Sequence, residues 1–140
     1  MKALVCVIGL FLLSGLLNCQ QTDVNKQRTG LEGVWIISKR SVLIGNNWSY
    51  QSIPASAAQT LTFGSETVQP SSAVQDTILS RARYYSVSSE GFVGPQIVLR
   101  DKKVGSIFYS FQLRNYKDSL SLFSLGNNEA RIGYTLLRQR

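Results

Sequence analysis

The stretch "SIFYSFQLR", residues 106–114, decides how the rest of the chain is read. Ile107, Tyr109, Phe111 and Leu113 share one side of an extended backbone, and Phe108, Ser110 and Gln112 share the other. Successive side chains of a strand point to opposite faces, so this alternation describes a strand with one apolar face. The same period recurs on both sides of it. Toward the C-terminus, "DSLSLFSL" (118–125) aligns Leu120 with Leu122, and "RIGYTLLR" (131–138) aligns Ile132, Tyr134 and Leu136. Toward the N-terminus come "QIVLR" (96–100), "RYYSVS" (83–88), with Tyr85 and Val87 together, a short "ETVQ" (66–69), and "QTLTF" (59–63), with Leu61 and Phe63 together. "EGVWIISKRSVLI" (32–44) reads as a long first strand with a bend, ending in Gly45-Asn46-Asn47. Asp101-Lys102-Lys103 and Gly126-Asn127-Asn128 supply residues that tolerate tight connections, and the polar run 70–80 reads as a loop.

About eight strands result, separated by turn signals every 8 to 12 positions or so, and no helix is expected after residue 30. A meandering sheet of that size has exposed edges unless it closes. Closure at eight strands leaves an interior that side chains fill or that holds one small ligand. The fold class expected is therefore all-β: a small up-and-down antiparallel β-barrel over residues 31–140. Its interior would be lined by Trp35, Phe63, Tyr85, Tyr109, Phe111 and Tyr134, and the short strands favour a filled one. The loop region after the first strand, carrying Trp48, Tyr50 and "SIPASAAQ" (52–59), is placed to form a lid over the open end, its aromatics serving either as ligand or partner contacts or, the reading favoured, as a plug that seals the core.

The N-terminus is of another kind. Met1-Lys2 is a positive start, and 3–17 is an apolar run of secretory length, short of the roughly 20 residues a spanning helix needs. It stops at Cys19, flanked by Leu16-Leu17-Asn18 and Gln20-Gln21, which resembles a bacterial lipobox. Residues 1–18 are read as a lipoprotein signal helix that is removed, and Cys19 as the first mature residue and the site of lipidation. The other cysteine, Cys6, would leave with the signal. Residues 19–30 are a polar tether; stretched out, the part after Cys19 spans about 35 Å at roughly 3.3 Å per residue. Membrane attachment would then run through the lipid on Cys19. Gln20 stands where some lipoproteins carry an Asp that retains them in the inner membrane, so the outer membrane is the expected location.

Several pieces in this order, "LEGVW" (31–35), "LTF" (61–63), "YYSV" (84–87) and "GYTLLR" (133–138), resemble the small lipocalin-like lipoprotein domains of Gram-negative bacteria. The resemblance covers 31–138. It implies a lipocalin-like barrel in which the Gly-x-Trp of the first strand, Gly33-Val34-Trp35, is covered by a late basic residue, here Arg138. That pair would tie the first strand to the last through a cation–π contact of about 0.5–2 kcal/mol.

The chain of 140 residues is 44% hydrophobic and 16% charged, with 15 basic and 8 acidic side chains. The basic residues are scattered as Lys39/Arg40, Arg81/Arg83, Arg100/Lys102/Lys103, Arg131 and Arg138/Arg140, without the one-sided cluster and aromatic platforms of a nucleic-acid binder. There is no histidine, which removes the commonest general base and metal ligand. The eight carboxylates are widely spaced. No enzyme, no metal and no cofactor is expected, and no nucleic-acid partner.

Asp76-Thr77-Ile78 resembles the triplets that some Gram-negative bacteria O-glycosylate, which makes Thr77 a candidate; Asp118-Ser119-Leu120 is a weaker match. The expected function is binding. A small apolar or amphipathic ligand would be held at the barrel mouth, with Trp48, Tyr50, Tyr85, Tyr109 and Tyr134 as contacts. The alternative is a protein-interaction module, an inhibitor or accessory subunit of an envelope complex with a fully packed barrel and no ligand. Exposed Tyr84, Phe108 and Phe123 on outward faces would favour it.

Overall fold

The computed structural model describes residues 30–88, 94–105, 109–124 and 131–140. The signal segment, Cys19, the tether up to residue 29, Phe108 and the turn at Gly126-Asn127-Asn128 lie outside the described residues. Among the described residues nine strands form one antiparallel sheet: β1 (Gly33–Ile44), β2 (Asn47–Ser52), β3 (Thr60–Phe63), β4 (Val68–Pro70), β5 (Tyr84–Ser88), β6 (Gln96–Arg100), β7 (Tyr109–Tyr116), β8 (Ser119–Ser124) and β9 (Ile132–Arg138). Their spatial order is β4-β3-β1-β9-β8-β7-β6-β5, with β2 an additional partner of β1. The two ends of that order meet at an antiparallel bridge between Thr67 and Tyr84. Val68 N donates to Arg83 O and Tyr85 N to Glu66 O, both at 2.9 Å. Eight strands thus make an up-and-down barrel, its seam between β4 and β5 narrower than the other joints. No helix among the described residues is long and apolar enough to cross a membrane.

The ninth strand arises because β2 and β3 are two halves of one stave. β2 pairs with Lys39–Ile44 of β1, and β3 pairs with Gly33–Ile36. Between them the chain leaves the sheet through a 3-10 turn at Ala55–Ala57. β1 holds both ends of this excursion: Ile53 N donates to Ser38 O, and Ile37 N donates to Gln59 O. Trp48 and Tyr50, expected in a loop, therefore lie in a strand, because the turn at Gly45-Asn46 is tight enough to return the chain directly along β1.

β1 carries a bulge. Its register against β9 runs Trp35↔Arg138, Ile36↔Leu137, Ile37↔Leu136 and then Lys39↔Thr135, so Ser38 is an extra residue. The bend expected in this strand is here, and it inverts the alternation. Trp35 and Ile37 face inward before it and Arg40 after it, opposite the inward Tyr134. A bulge re-aims the side chains that follow it.

The interior is a continuous apolar cluster that includes Ile37, Leu61, Ile97, Leu99, Leu120, Leu122 and Leu136, all at most 1% exposed. Phe63 meets Tyr85 edge-on at 5.2 Å, and Phe111 meets Tyr134 at 5.8 Å, both favourable ring geometries. Each end is stoppered by chain from outside the strands. At the end where β1 begins, Leu31 is fully buried. At the other end the 71–83 connection turns inward and buries Val74, Leu79 and Ala82. This segment, read as a polar loop, is the plug; burying Leu79 alone is worth about 1.5–3 kcal/mol.

Below the plugged interior, Trp35 is fully buried and donates from Nε1 to Leu31 O at 2.7 Å. The Arg138 guanidinium lies 4.5 Å from the centre of its ring. Arg138 also donates to Glu32 O at 3.0 Å and to Gly30 O. One side chain thus joins the last strand, the first strand and the segment before it. Gly33 is required there: its φ is +124°, and a Cβ would sit 3.3 Å from Arg138 Nη1.

Candidate functional site

The end opposite Trp35 holds the site, and Asp76 in the plug organises it. Its Oδ1 accepts hydrogen bonds from Ile78 N (2.9 Å) and Leu79 N (3.0 Å), while its carbonyl accepts one from Ser80 N (2.9 Å). A carboxylate that takes the free N–H groups of a following turn is the usual way such a turn is initiated. It sets the 3-10 turn Leu79–Arg81 and drives Leu79 into the barrel. Asp76 Oδ2 lies 3.2 Å from Arg40 Nε, an ion pair that joins the plug to the inward face of β1 beyond the bulge. The Asp76 side chain is only 10% exposed and that of Arg40 38%. Their charges cancel locally.

Tyr134 stands beside this pair. The residue is 2% exposed, and its hydroxyl meets no hydrogen-bond partner among the described residues. It is close enough to Asp76 and Arg40 to feel both charges. Burial, reinforced by the negative charge and acceptor of Asp76 and opposed by Arg40, pushes its phenol well above the ordinary range. The group stays a neutral hydroxyl.

The cleft has a volume of about 260 Å³ and opens between the β2–β3 excursion and the plug. Its apolar surface is that of the half-buried Ile53, with the buried Ile37 and Leu79 behind it. Gln51, Gln59, Gln75 and Thr77 add neutral polar groups, with Arg40, Asp76 and Tyr134 at the remaining wall. The arrangement offers hydrogen bonds in both directions beside a small apolar surface. Its one carboxylate is already committed to a turn and an ion pair. Among the described residues, no three His, Cys, Asp or Glu side chains are grouped to hold a metal ion.

Of the aromatic residues expected to share a site, Tyr134 alone lines this cleft. Tyr85 is buried against Phe63, and its hydroxyl donates to Gly64 O at 2.7 Å. Tyr109 is half-buried against Phe111, with its hydroxyl 3.4 Å from Ser124 Oγ. Trp48 and Tyr50 lie on the outer wall, 38% and 65% exposed. There Trp48 meets Phe123 edge-on at 6.4 Å, Arg114 lies over Phe123 at 5.6 Å, and Lys39 lies over Tyr50 at 5.5 Å. Phe123 is half-buried because Gly133 leaves room for its ring, and Tyr84 is half-buried beside Arg100. Thr77 is exposed on the rim of the cleft, and Ser119 is half-buried in β8.

Sequence reasoning missed Arg40, Gln51, Gln59 and Gln75. Alternation from Trp35 and Ile37 assigns Arg40 to the outer face, and only the bulge reverses it. Asp76 carries a readable capping signal, an Asp shortly before an apolar pair, which the reading of 76–78 as a modification triplet passes over. Comparison with known protein families, with curated proteins and with solved structures finds no match for this chain.

Proposed function

We propose that this chain is a lipid-anchored cell-envelope protein, attached through Cys19, with a lipocalin-like barrel that binds a small amphipathic molecule at its mouth and performs no catalysis. The observation that supports the reading is an open cleft of about 260 Å³ at the barrel mouth, where the partly exposed Ile53 lies among Gln51, Gln59, Gln75 and Thr77. The filled interior argues against an apolar ligand inside the barrel, because Val74 and Leu79 already occupy that end. The ligand would sit between plug and β2. The tether joins at the Trp35 end, so a lipid on Cys19 leaves the cleft at the end remote from the attachment. The outer membrane is the location proposed, on the residue that follows Cys19.

Two measurements test this. Metabolic labelling with a clickable fatty acid should mark the protein and fail to mark Cys19→Ser. Native mass spectrometry of the purified full chain should show a small adduct, weakened in Gln75→Ala, an exposed residue of the cleft. An unlabelled wild-type chain refutes the anchor, and an adduct indifferent to Gln75 refutes the site.

A second reading, the protein-interaction module, is favoured by the outer wall. Ile44, Trp48 and Tyr50 are 69%, 38% and 65% exposed on the β1–β2 hairpin. A pull-down from solubilised envelope that depends on Trp48 and Tyr50, and not on Gln75, would replace the first reading with this one.

A further inference from the structure

The outer wall formed by β2, β1, β9, β8 and β7 carries a cluster that neither the core nor the cleft uses. We propose that this wall docks on an anionic bilayer surface, with Trp48 and Tyr50 entering the headgroup layer and Lys39, Arg114 and Arg131 facing its phosphates. The proposal takes the anchor at Cys19 from the proposed function and adds a second, weaker contact that lays the barrel on its side.

Strand register places the cluster. Tyr50 is opposite Ser41 and Trp48 opposite Leu43, while Ser41 and Phe123 stand on either side of Gly133. These residues therefore share the outer face. Trp48 and Tyr50 are 38% and 65% exposed, and Trp48 meets the Phe123 ring edge-on. Lys39 lies over the Tyr50 ring and Arg114 over that of Phe123, and both cations are exposed. Arg131, also exposed, is fixed at the end of the wall where its carbonyl accepts a hydrogen bond from Leu43 N.

The wall is positive and unneutralised. Among the described residues its three cations have no carboxylate partner. The described carboxylates lie elsewhere: Glu32 and Asp118 at the Trp35 end, Asp76 in the mouth, Glu66 and Asp101 beside β5 and β6. A protein partner would strip water from cations lying among the rings at the middle of the contact, a cost that only matching carboxylates repay. At a bilayer the cations stay in the wet headgroup layer opposite phosphate. Trp and Tyr, apolar rings with a polar tip, settle at the same depth. Each basic residue held near an anionic leaflet strengthens attachment about fivefold.

The reach also fits. Tyr50, opposite Ser41, lies roughly 26 Å along β1 from Gly33 at about 3.3 Å per residue. The tether after Cys19 stretches to about 35 Å. A lipid on Cys19 and the wall can therefore enter one bilayer together.

The test reconstitutes the purified full chain into vesicles of phosphatidylcholine, with or without phosphatidylglycerol, whose brominated acyl chains quench a tryptophan on contact. Flotation reads attachment separately. Trp35 is fully buried, and subtracting the Trp48→Phe emission isolates Trp48. With phosphatidylglycerol, Trp48 emission should shift to shorter wavelength and be quenched; both effects should be lost in phosphatidylcholine alone and in about 1 M salt, where charges are screened beyond about 3 Å. Lys39→Gln and Arg114→Gln should each shift the docking equilibrium about fivefold toward the undocked state, with Tm unchanged. An unquenched Trp48 in a chain that floats overturns the docking and leaves the anchor standing. Quenching in a chain that fatty-acid labelling shows to be unlipidated keeps the docking and removes the anchor. Equal quenching in both vesicles overturns the assignment to an anionic surface. A blue-shifted but unquenched Trp48 that reverts on dilution gives the wall to a second copy of the chain and overturns the lipid assignment.

Discussion

Replacing Arg138 by methionine keeps a long, flexible side chain over Trp35 while removing the charge and all five donors. Three contributions are lost. The cation–π contact at 4.5 Å is worth about 0.5–2 kcal/mol, toward the upper part of that range because Trp35 is fully buried. The hydrogen bonds to Glu32 O and Gly30 O add about 1 kcal/mol each, the low end for a charged donor, because water reaches these carbonyls once Arg138 is gone. The total is about 2.5–4 kcal/mol against a typical domain stability of about 5–15, so the variant folds but is visibly weakened. At a urea m-value of about 2 kcal/mol/M, the midpoint falls by about 1–2 M. The assay is equilibrium urea unfolding followed by circular dichroism and by tryptophan emission. Trp48→Phe serves as the background so that Trp35 alone reports. Arg138→Lys, which keeps a cation over the ring but loses the fork to two carbonyls, should fall between wild type and Arg138→Met. A midpoint for Arg138→Met within about 0.25 M of wild type, equivalent to about 0.5 kcal/mol at that m-value, refutes the view that this side chain ties the barrel together.

Three further outcomes follow from the same packing. The Tyr134 phenol has a folded-state pKa above its unfolded value near 10, so its contribution to stability is complete below about pH 10 and declines as pH rises beyond it; the stability of Tyr134→Phe should accordingly fall less steeply than wild type between about pH 10 and 11.5, in paired urea titrations. Asp76→Asn retains an acceptor for Ile78 N and Leu79 N and should cost less than about 1 kcal/mol, the half-exposed Arg40 partner being screened, whereas Asp76→Ala should cost about 1–3 kcal/mol and increase amide exchange across 71–83. Equal losses in the two variants would contradict the capping role. Gly133→Ala places a Cβ 2.5 Å from Ser41 Oγ and 3.1 Å from the Phe123 ring, which should cost about 1–3 kcal/mol, with partial recovery in the Ser41→Ala background when thermal unfolding is compared.

The strands, and which of their faces are buried, follow from alternation along the chain. Tyr109, Phe111 and Leu113, Leu120 and Leu122, and Tyr134 and Leu136 all lie on the side that alternation assigned them. The cause is local: in an extended chain the direction of each side chain follows from its neighbour's, and an apolar face has to be covered. Closure followed from the number of strands and the cost of open edges. The tertiary structure alone decided the site. Ser38 is an extra residue of β1 against β9, and it turns Arg40 from the outer face to the inner. Asp76 reaches Arg40 only because the 71–83 segment is drawn into the mouth by Val74 and Leu79, apolar residues too sparse in a polar run to show any period. Trp48 and Tyr50 moved the other way, onto the outer wall, once the turn at Gly45-Asn46 returned the chain as a strand. Periodicity records what adjacent residues impose on one another, whereas a cleft is made by side chains that distant packing brings together.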